Sequence, residues 1–183
     1  MAELLELAEE VPLGDLFPSL RRLAVQAGGT HFSRGEGAKI FSGPGGLFLG
    51  PMICLEGLYA RYVREIVKAG AQILFNATND AWFGPGMEPA LHLYLTTFRS
   101  IETRRPLVRS TNTGHSTVVD IDGSLRMKTD LFVENALVEK VPVYRELTTP
   151  YLVLGDTLIY LAGFYALWPF GIFLWRRRKR QYT

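Results

Sequence analysis

The sequence predicts an α/β fold, because short apolar runs alternate with segments of helical periodicity. Residues 47–54 (LFLGPMIC) and 71–76 (AQILFN) are apolar runs of the length and bounded character typical of buried strands. Segments 57–68 and 90–103 follow them and place apolar residues three or four positions apart, which predicts helices. This order of strands and helices predicts an α/β sandwich.

The flanking segments complete the predicted element order. Residues 4–24 contain helical patches interrupted by Pro12, Gly14 and Pro18, and residues 27–46 are a glycine-rich loop with short strands. Residues 107–120 are predicted to form two strands joined at 112–114. A turn at Asp122 and Gly123 leads into a strand at 124–128, and a last strand is predicted at 136–143.

Composition and charge narrow the possible functions. The 183 residues are 48% hydrophobic and 21% charged, which excludes wholesale disorder. A single cysteine, Cys54, excludes an internal disulfide framework and a multi-cysteine zinc site. The net charge of +2 includes five consecutive cations at 176–180, so the rest of the chain is mildly acidic. We therefore expect no nucleic-acid partner, because phosphate binding needs basic charge spread over the binding face.

The C-terminal region predicts one transmembrane helix. Residues 157–175 carry no charge, and 19 residues in a helix reach roughly 28 Å, close to the hydrocarbon thickness of a bilayer. We place the span at 152–175 and a basic tail at 176–183, after a body at 1–145. Because positive residues stay cytoplasmic, the tail should be inside and the body outside. The N-terminal residues contain no export signal, so we expect the chain to be the C-terminal part of a longer membrane protein.

Cys54 is the candidate nucleophile. It lies where a predicted strand meets a predicted helix, a place that exposes a side chain beside backbone N–H groups. The partial positive charge of a helix N-terminus also favours a thiolate. The alternative is that Cys54 is a small core residue, as free cysteines usually are.

Three segments carry a family resemblance: ICLEGLY at 53–59, NATNDAWFG at 76–84 and RPLVRSTNTGHS at 105–116. They resemble the carbon–nitrogen hydrolase (nitrilase) superfamily and, within it, the apolipoprotein N-acyltransferase family. EVPLGDLF at 10–17 and FSRGEG at 32–37 extend the similarity over nearly the whole chain. The resemblance implies a nitrilase-like αββα sandwich, here partial and N-terminally truncated, in the bacterial inner membrane with the domain on the periplasmic side.

The resemblance also implies a chemistry and its residues. A phospholipid would donate an acyl chain to the thiolate, and the amine of a diacylglyceryl-cysteine lipoprotein would accept it, with no metal or organic cofactor. Cys54 matches the family's nucleophile and Glu9 its supporting glutamate. Glu56, Asn79, Trp82 and Phe83 match positions near the substrate, with Trp82 and Phe83 expected to contact lipid.

Departures from the family pattern leave alternatives open. The family's triad glutamate and lysine would lie at or before Met1, so we expect the chain alone to be poorly active or inactive. An upstream membrane-spanning segment of the same enzyme would supply them. The alternatives are a catalytically degenerate, membrane-anchored binding module and a membrane-tethered amidase. Arg105, Arg109 and Glu102 are expected to form a structural ion-pair set, and His92 and His115 to be structural histidines.

Overall fold

The computed structural model describes residues 37–144 and 147–179, with side chains through Phe170. Six strands form one mixed sheet in chain order. They are β1 (Phe41–Ser42), β2 (Phe48–Ile53), β3 (Ile73–Thr78), β4 (Leu107–Thr111), β5 (Thr117–Val119) and β6 (Leu125–Lys128). Strands β2, β3 and β4 are parallel, and the other neighbours pair antiparallel.

Two helices connect the parallel strands. Helix α1 (Ala60–Lys68) lies between β2 and β3, and α2 (Glu88–Thr103) lies between β3 and β4. Short 3-10 turns at Cys54–Leu58 and Asp80–Phe83 precede them. A parallel pair requires such a crossover, which explains why the apolar runs at 47–54 and 71–76 are followed by helical periodicity. The predicted α/β architecture is confirmed.

The core lies between α1 and one face of the sheet. Val63 and Ile66 of α1 are fully buried against Met52, Leu74 and Leu107, which project from three neighbouring strands. Gly50 permits this close approach, since a Cβ there would lie 2.2 Å from Cγ2 of Ile66. The packing holds the carboxyl ends of β2 and β3 in fixed register, and both strands lead directly into the 3-10 turns.

The opposite face of the sheet is exposed at several apolar positions in the described residues, although Val118 on that face is buried. Ile53, Phe75 and Met127 project from it and are exposed by 63%, 36% and 41%. An αββα sandwich would need a second sheet on this face, and that sheet is not among the described residues.

The predicted strand at 136–143 is wrong. This segment is irregular and forms no ladder with β6. Pro142 has no N–H to donate to a ladder, and Val138 is 93% exposed. A side-chain hydrogen bond holds the end of this segment near β5, since the Tyr144 hydroxyl donates to Asp120 Oδ1 at 3.3 Å.

The C-terminal region is helical. Helix α3 (Pro150–Leu154) places Leu152 in the core, and α4 (Thr157–Lys179) follows it. Within the described part of the chain, no helix meets the combined requirement of length and apolarity for crossing a bilayer. The predicted span at 152–175 is therefore not confirmed.

Candidate functional site

Cys54 occupies a strained bend at the carboxyl end of β2. Its φ of +49° lies in the left-handed region, which L-residues other than glycine seldom adopt. Such a conformation costs about 1–3 kcal/mol and persists only where surrounding contacts enforce it. The preceding Ile53 is extended and Cys54 opens the 3-10 turn. The bend leaves the cysteine partly accessible beside the sheet edge.

The Glu56 side chain caps the bend at Cys54. Its Oε2 accepts a hydrogen bond from the Ile53 N–H at 2.7 Å, and the residue is 5% exposed. Burial raises the pKa of the Glu56 carboxyl, although the Ile53 N–H acts in the opposite direction. Its Oε1 is buried without a hydrogen-bond partner among the described residues. The structure thus places Glu56 where it stabilises the cysteine bend and leaves one carboxyl oxygen uncommitted.

Asn76 ties β3 to the same bend. Its Nδ2 donates to the carbonyl oxygens of Met52 at 3.2 Å and Cys54 at 3.1 Å. Its Oδ1 accepts a short hydrogen bond from Nη1 of Arg109. Register explains the meeting, because Asn76 and Arg109 are directly paired across β3 and β4 and point to the same face. The Cys54 backbone is therefore linked to a buried guanidinium through one amide.

Asp80 neutralises that guanidinium. Arg109 Nη2 donates to Asp80 Oδ2 at 2.9 Å, and both side chains are 0% exposed. Thr78 Oγ1 donates to Asp80 Oδ1 at 2.9 Å, and His92 Nδ1 lies 3.2 Å from the same oxygen. Burial alone would raise the pKa of the Asp80 carboxyl, but the hydrogen bond with His92 and the charge of Arg109 outweigh it and lower that pKa. Asp80 is therefore held as a carboxylate.

Trp82 and Phe83, in the turn after β3, differ in their exposure. Asn79 is exposed, and its Oδ1 accepts from the Ala81 N–H at 3.2 Å and from Asn112 Nδ2 at 2.6 Å. Trp82 is 86% exposed. Phe83 is partly buried and packs edge-on against the His92 ring, with centroids 5.8 Å apart. Trp82 is thus presented to the surroundings, whereas Phe83 packs against the buried network.

The structure brings most of the predicted site residues to one edge of the sheet. Cys54 and Glu56 share one turn, and Asn79, Trp82 and Phe83 belong to the next. Glu9 lies outside the described residues. Over residues 37–144 and 147–170, no group of three His, Cys, Asp or Glu side chains could hold a metal ion.

The expected ion-pair set is wrong in its partners. Glu102 pairs with Arg99 at 2.9 Å, while Arg109 pairs with Asp80. Arg105 donates to backbone carbonyls, including that of Ala71 at 3.0 Å. Sequence reasoning missed the Asn76–Arg109–Asp80 linkage because it treated the strand residue, the loop residue and the arginine separately. The sequence carried no signal for it, because the meeting of Asn76 and Arg109 depends on the register of β3 against β4.

Similarity to known proteins extends over most of the chain. The carbon–nitrogen hydrolase family model matches residues 13–147. The chain is similar to an apolipoprotein N-acyltransferase of Bdellovibrio bacteriovorus, with 45% identity over 72% of this chain and 24% of that protein. It is also similar to the one from Photobacterium profundum, with 34% identity over 98% of this chain and 34% of that protein. The chain thus matches 24% and 34% of the length of these two curated relatives.

A solved structure supports the fold alone. The carbon–nitrogen hydrolase from Helicobacter pylori G27 superimposes with a TM-score of 0.50 at 17% identity, covering 57% of this chain and 43% of that one.

Proposed function

The chain belongs to the carbon–nitrogen hydrolase family, and from that premise we propose that it is the cysteine-bearing part of an apolipoprotein N-acyltransferase. The single observation that carries the proposal is the strained, buttressed bend at Cys54, which presents the one thiol of the chain at a sheet edge. The names of the curated relatives supply the reaction class.

The proposed reaction proceeds in two acyl transfers. The Cys54 thiolate attacks an ester carbonyl of a phospholipid, and the glycerol oxygen leaves with a proton as a lysophospholipid. The α-amine of a diacylglyceryl-cysteine lipoprotein then attacks the thioester, loses a proton and releases the thiolate. The first transfer therefore needs a group that donates a proton to the leaving oxygen, and the second needs one that accepts a proton from the amine.

Two buried carboxyls belong to this site in the described part of the chain. Glu56 Oε2 accepts from the Ile53 N–H while its Oε1 has no partner, and Asp80 is paired with Arg109. Because Glu56 supports the cysteine bend and Asp80 holds the guanidinium, we propose that the proton acceptor comes from outside the described residues, with Glu9 as a supporting carboxylate. We also propose that the chain by itself is poorly active or inactive.

Substrates of this class would require contact with lipid. We propose that Trp82 contacts an acyl chain, and its exposure in the turn after β3 supports this role. We propose the division into a body at 1–145, a membrane-anchoring segment at 152–175 and a cytoplasmic tail at 176–183, in the bacterial inner membrane with the body periplasmic. Apolar side chains such as Ile159 and Phe164 of α4, exposed by 69% and 63%, support the anchoring role. The uncharged run at 157–175 and the five cations after it support the orientation.

The uncovered sheet face supports the sandwich. We propose that a second sheet packs on Ile53, Phe75 and their neighbours, which completes an αββα arrangement. A six-stranded sheet with helices on one face leaves this apolar surface otherwise in contact with water.

A chimera tests the proposed function. The matched 135-residue segment of the Bdellovibrio bacteriovorus relative is replaced by the corresponding residues of this chain. Membranes containing the chimera are incubated with a diacylglyceryl lipopeptide, and acylation of its N-terminal amine is followed by mass spectrometry. We expect acylation by the chimera and none by its Cys54→Ala variant.

The two alternatives predict different outcomes. A membrane-tethered amidase would release ammonia from small amides without lipid, and Cys54→Ala would abolish that release. A degenerate binding module would retain the lipopeptide without modifying it. Either result in place of amine acylation refutes the acyltransferase proposal.

A further inference from the structure

We propose that Arg109 is a positioning residue for Cys54, which holds the cysteine bend through Asn76 and places a buried positive charge that favours the thiolate. This inference rests on the proposed role of Cys54 as the nucleophile. It assigns a catalytic-site role to an arginine two strands away from the cysteine in the sheet.

The hydrogen bonds form a continuous path. Arg109 Nη1 donates to Asn76 Oδ1, and Asn76 Nδ2 donates to the carbonyls of Met52 and Cys54. These carbonyls lie on either side of the Ile53–Cys54 peptide, where the chain changes from extended to left-handed. Fixing both carbonyls opposes relaxation of the bend, and the guanidinium fixes the amide that holds them.

The Arg109–Asp80 ion pair has a defined orientation relative to the cysteine bend. The Nη1 side of Arg109 faces Asn76 and the cysteine bend, while the Nη2 side faces Asp80. A desolvated ion pair contributes little net stability compared with apolar packing, so stability alone does not account for it. In its observed orientation, the positive end is the one toward Asn76 and, through it, the Cys54 carbonyl.

Two acidic groups act on the guanidinium. Burial lowers the pKa of Arg109, whereas the negative charges of Asp80 and of Cys54 raise it. The hydrogen-bond path through Asn76 links the guanidinium with the Cys54 backbone, and the effect of its charge on the thiol is the part of the proposal that the experiment below measures.

Other charged groups surround the bend and enter the test. In the described residues these are Glu56 in the turn, Tyr62 on α1, Asp80 after β3, His92 and Arg99 on α2, and Arg109 on β4. Burial and the charge of Glu56 raise the pKa of Tyr62 to about 12, so it stays neutral over the working range. The carboxylates oppose a thiolate, and Arg109 is the cation tied to the cysteine backbone through Asn76.

Alkylation by iodoacetamide measures the effect without requiring acyl transfer. The full 183-residue chain is labelled between about pH 5 and 10, and the pH of half-maximal rate is determined for Cys54. We expect Arg109→Gln to raise this midpoint by about one pH unit, which slows alkylation about tenfold at pH values below it. Asp80→Asn, which removes the opposing charge, should lower the midpoint.

Opposite shifts distinguish charge from structure. If the network only supported the fold, both substitutions would disturb the bend and change alkylation in the same direction. Arg109→Lys keeps the charge and should retain most of the wild-type midpoint. Arg126→Gln is the matched control, because it breaks an Arg–Asp pair with Asp120 on the far side of the sheet and should leave the midpoint unchanged.

A double variant tests the proposal without leaving one charge of the buried pair unpaired. The double variant Asp80→Asn/Arg109→Gln leaves no unpaired buried charge, and a wild-type circular dichroism spectrum verifies its fold. We expect its midpoint to rise, since the oriented positive end is lost. A wild-type midpoint in the folded double variant, or equal-direction shifts in the two single variants, overturns the proposal. Loss of acyl transfer with the predicted midpoint shifts intact would instead refute the proposed function and leave the arginine's role standing.

Discussion

Gly114 is the position at which one added methyl group should disrupt the candidate site most directly. A Cβ at this position would lie 2.0 Å from Oδ2 of Asp80 and 2.8 Å from its Cγ. The carboxylate cannot retreat, because Thr78 and Arg109 each hold it with a 2.9 Å hydrogen bond. Gly114→Ala must therefore displace either the loop backbone or the buried ion pair.

The magnitude follows from those two routes. Overpacking a well-filled site costs about 1–3 kcal/mol. Breaking a buried ion pair costs about 3–5 kcal/mol. Because the structure can distribute the strain between the loop and the pair, we expect a loss of about 3 kcal/mol in the free energy of unfolding.

Urea unfolding followed by circular dichroism measures this loss. Gly43→Ala is the matched control, since Gly43 has a φ of −95° and a Cβ added there would meet no atom closer than 3.5 Å. The control should stay within about 0.5 kcal/mol of the wild type. If Gly114→Ala is as stable as Gly43→Ala, then the close packing of Gly114 on Asp80 is incorrect and the network reasoning fails with it.

Three further predictions follow from the site. The pKa of Asp80 is lowered in the folded state, so the stability that its carboxylate contributes is present above its unfolded pKa and is lost as pH falls through the lowered value. Asp80→Asn should therefore reduce the fall of Tm with decreasing pH between about pH 7 and 2. An unchanged fall of Tm contradicts this prediction. The pKa of Glu56 is raised in the folded state, so the wild type should be most stable relative to Glu56→Gln at low pH. This difference in Tm should shrink as pH rises through the raised pKa. A difference in Tm that grows with pH would show that the pKa is not raised. Because Trp82 is 86% exposed, Trp82→Ala should change the free energy of unfolding by less than about 0.5 kcal/mol. The same variant should be retained several-fold less on phospholipid vesicles. Equal retention of variant and wild type argues against lipid contact.

The sequence predicted the strands and helices that position the site. The runs at 47–54 and 71–76 became β2 and β3, and the helix predicted at 90–103 became α2. These succeeded because apolar periodicity reports burial directly. The strand predicted at 136–143 failed because no described strand pairs with this segment, and Pro142 has no N–H to donate to a ladder.

The candidate site was predictable in its residues but not in its contacts. A cysteine after an apolar strand indicated the bend, yet its positive φ and the Glu56 cap depend on local backbone geometry. The link from Arg109 through Asn76 depends on strand register, which sequence patterns do not specify across a crossover. The two side chains meet only because β3 and β4 pair in parallel at those positions.

The measurement that tests the central claim most directly is the mass of the Cys54 peptide after exposure to phospholipid. The chimera with the Bdellovibrio bacteriovorus relative is incubated with vesicles of one defined acyl composition, quenched in acid and digested. We expect a hydroxylamine-sensitive acyl adduct on Cys54, whose mass changes when the vesicle acyl chain is changed. An unmodified Cys54 in an otherwise folded chimera, or the same adduct in the Cys54→Ala variant, would contradict it.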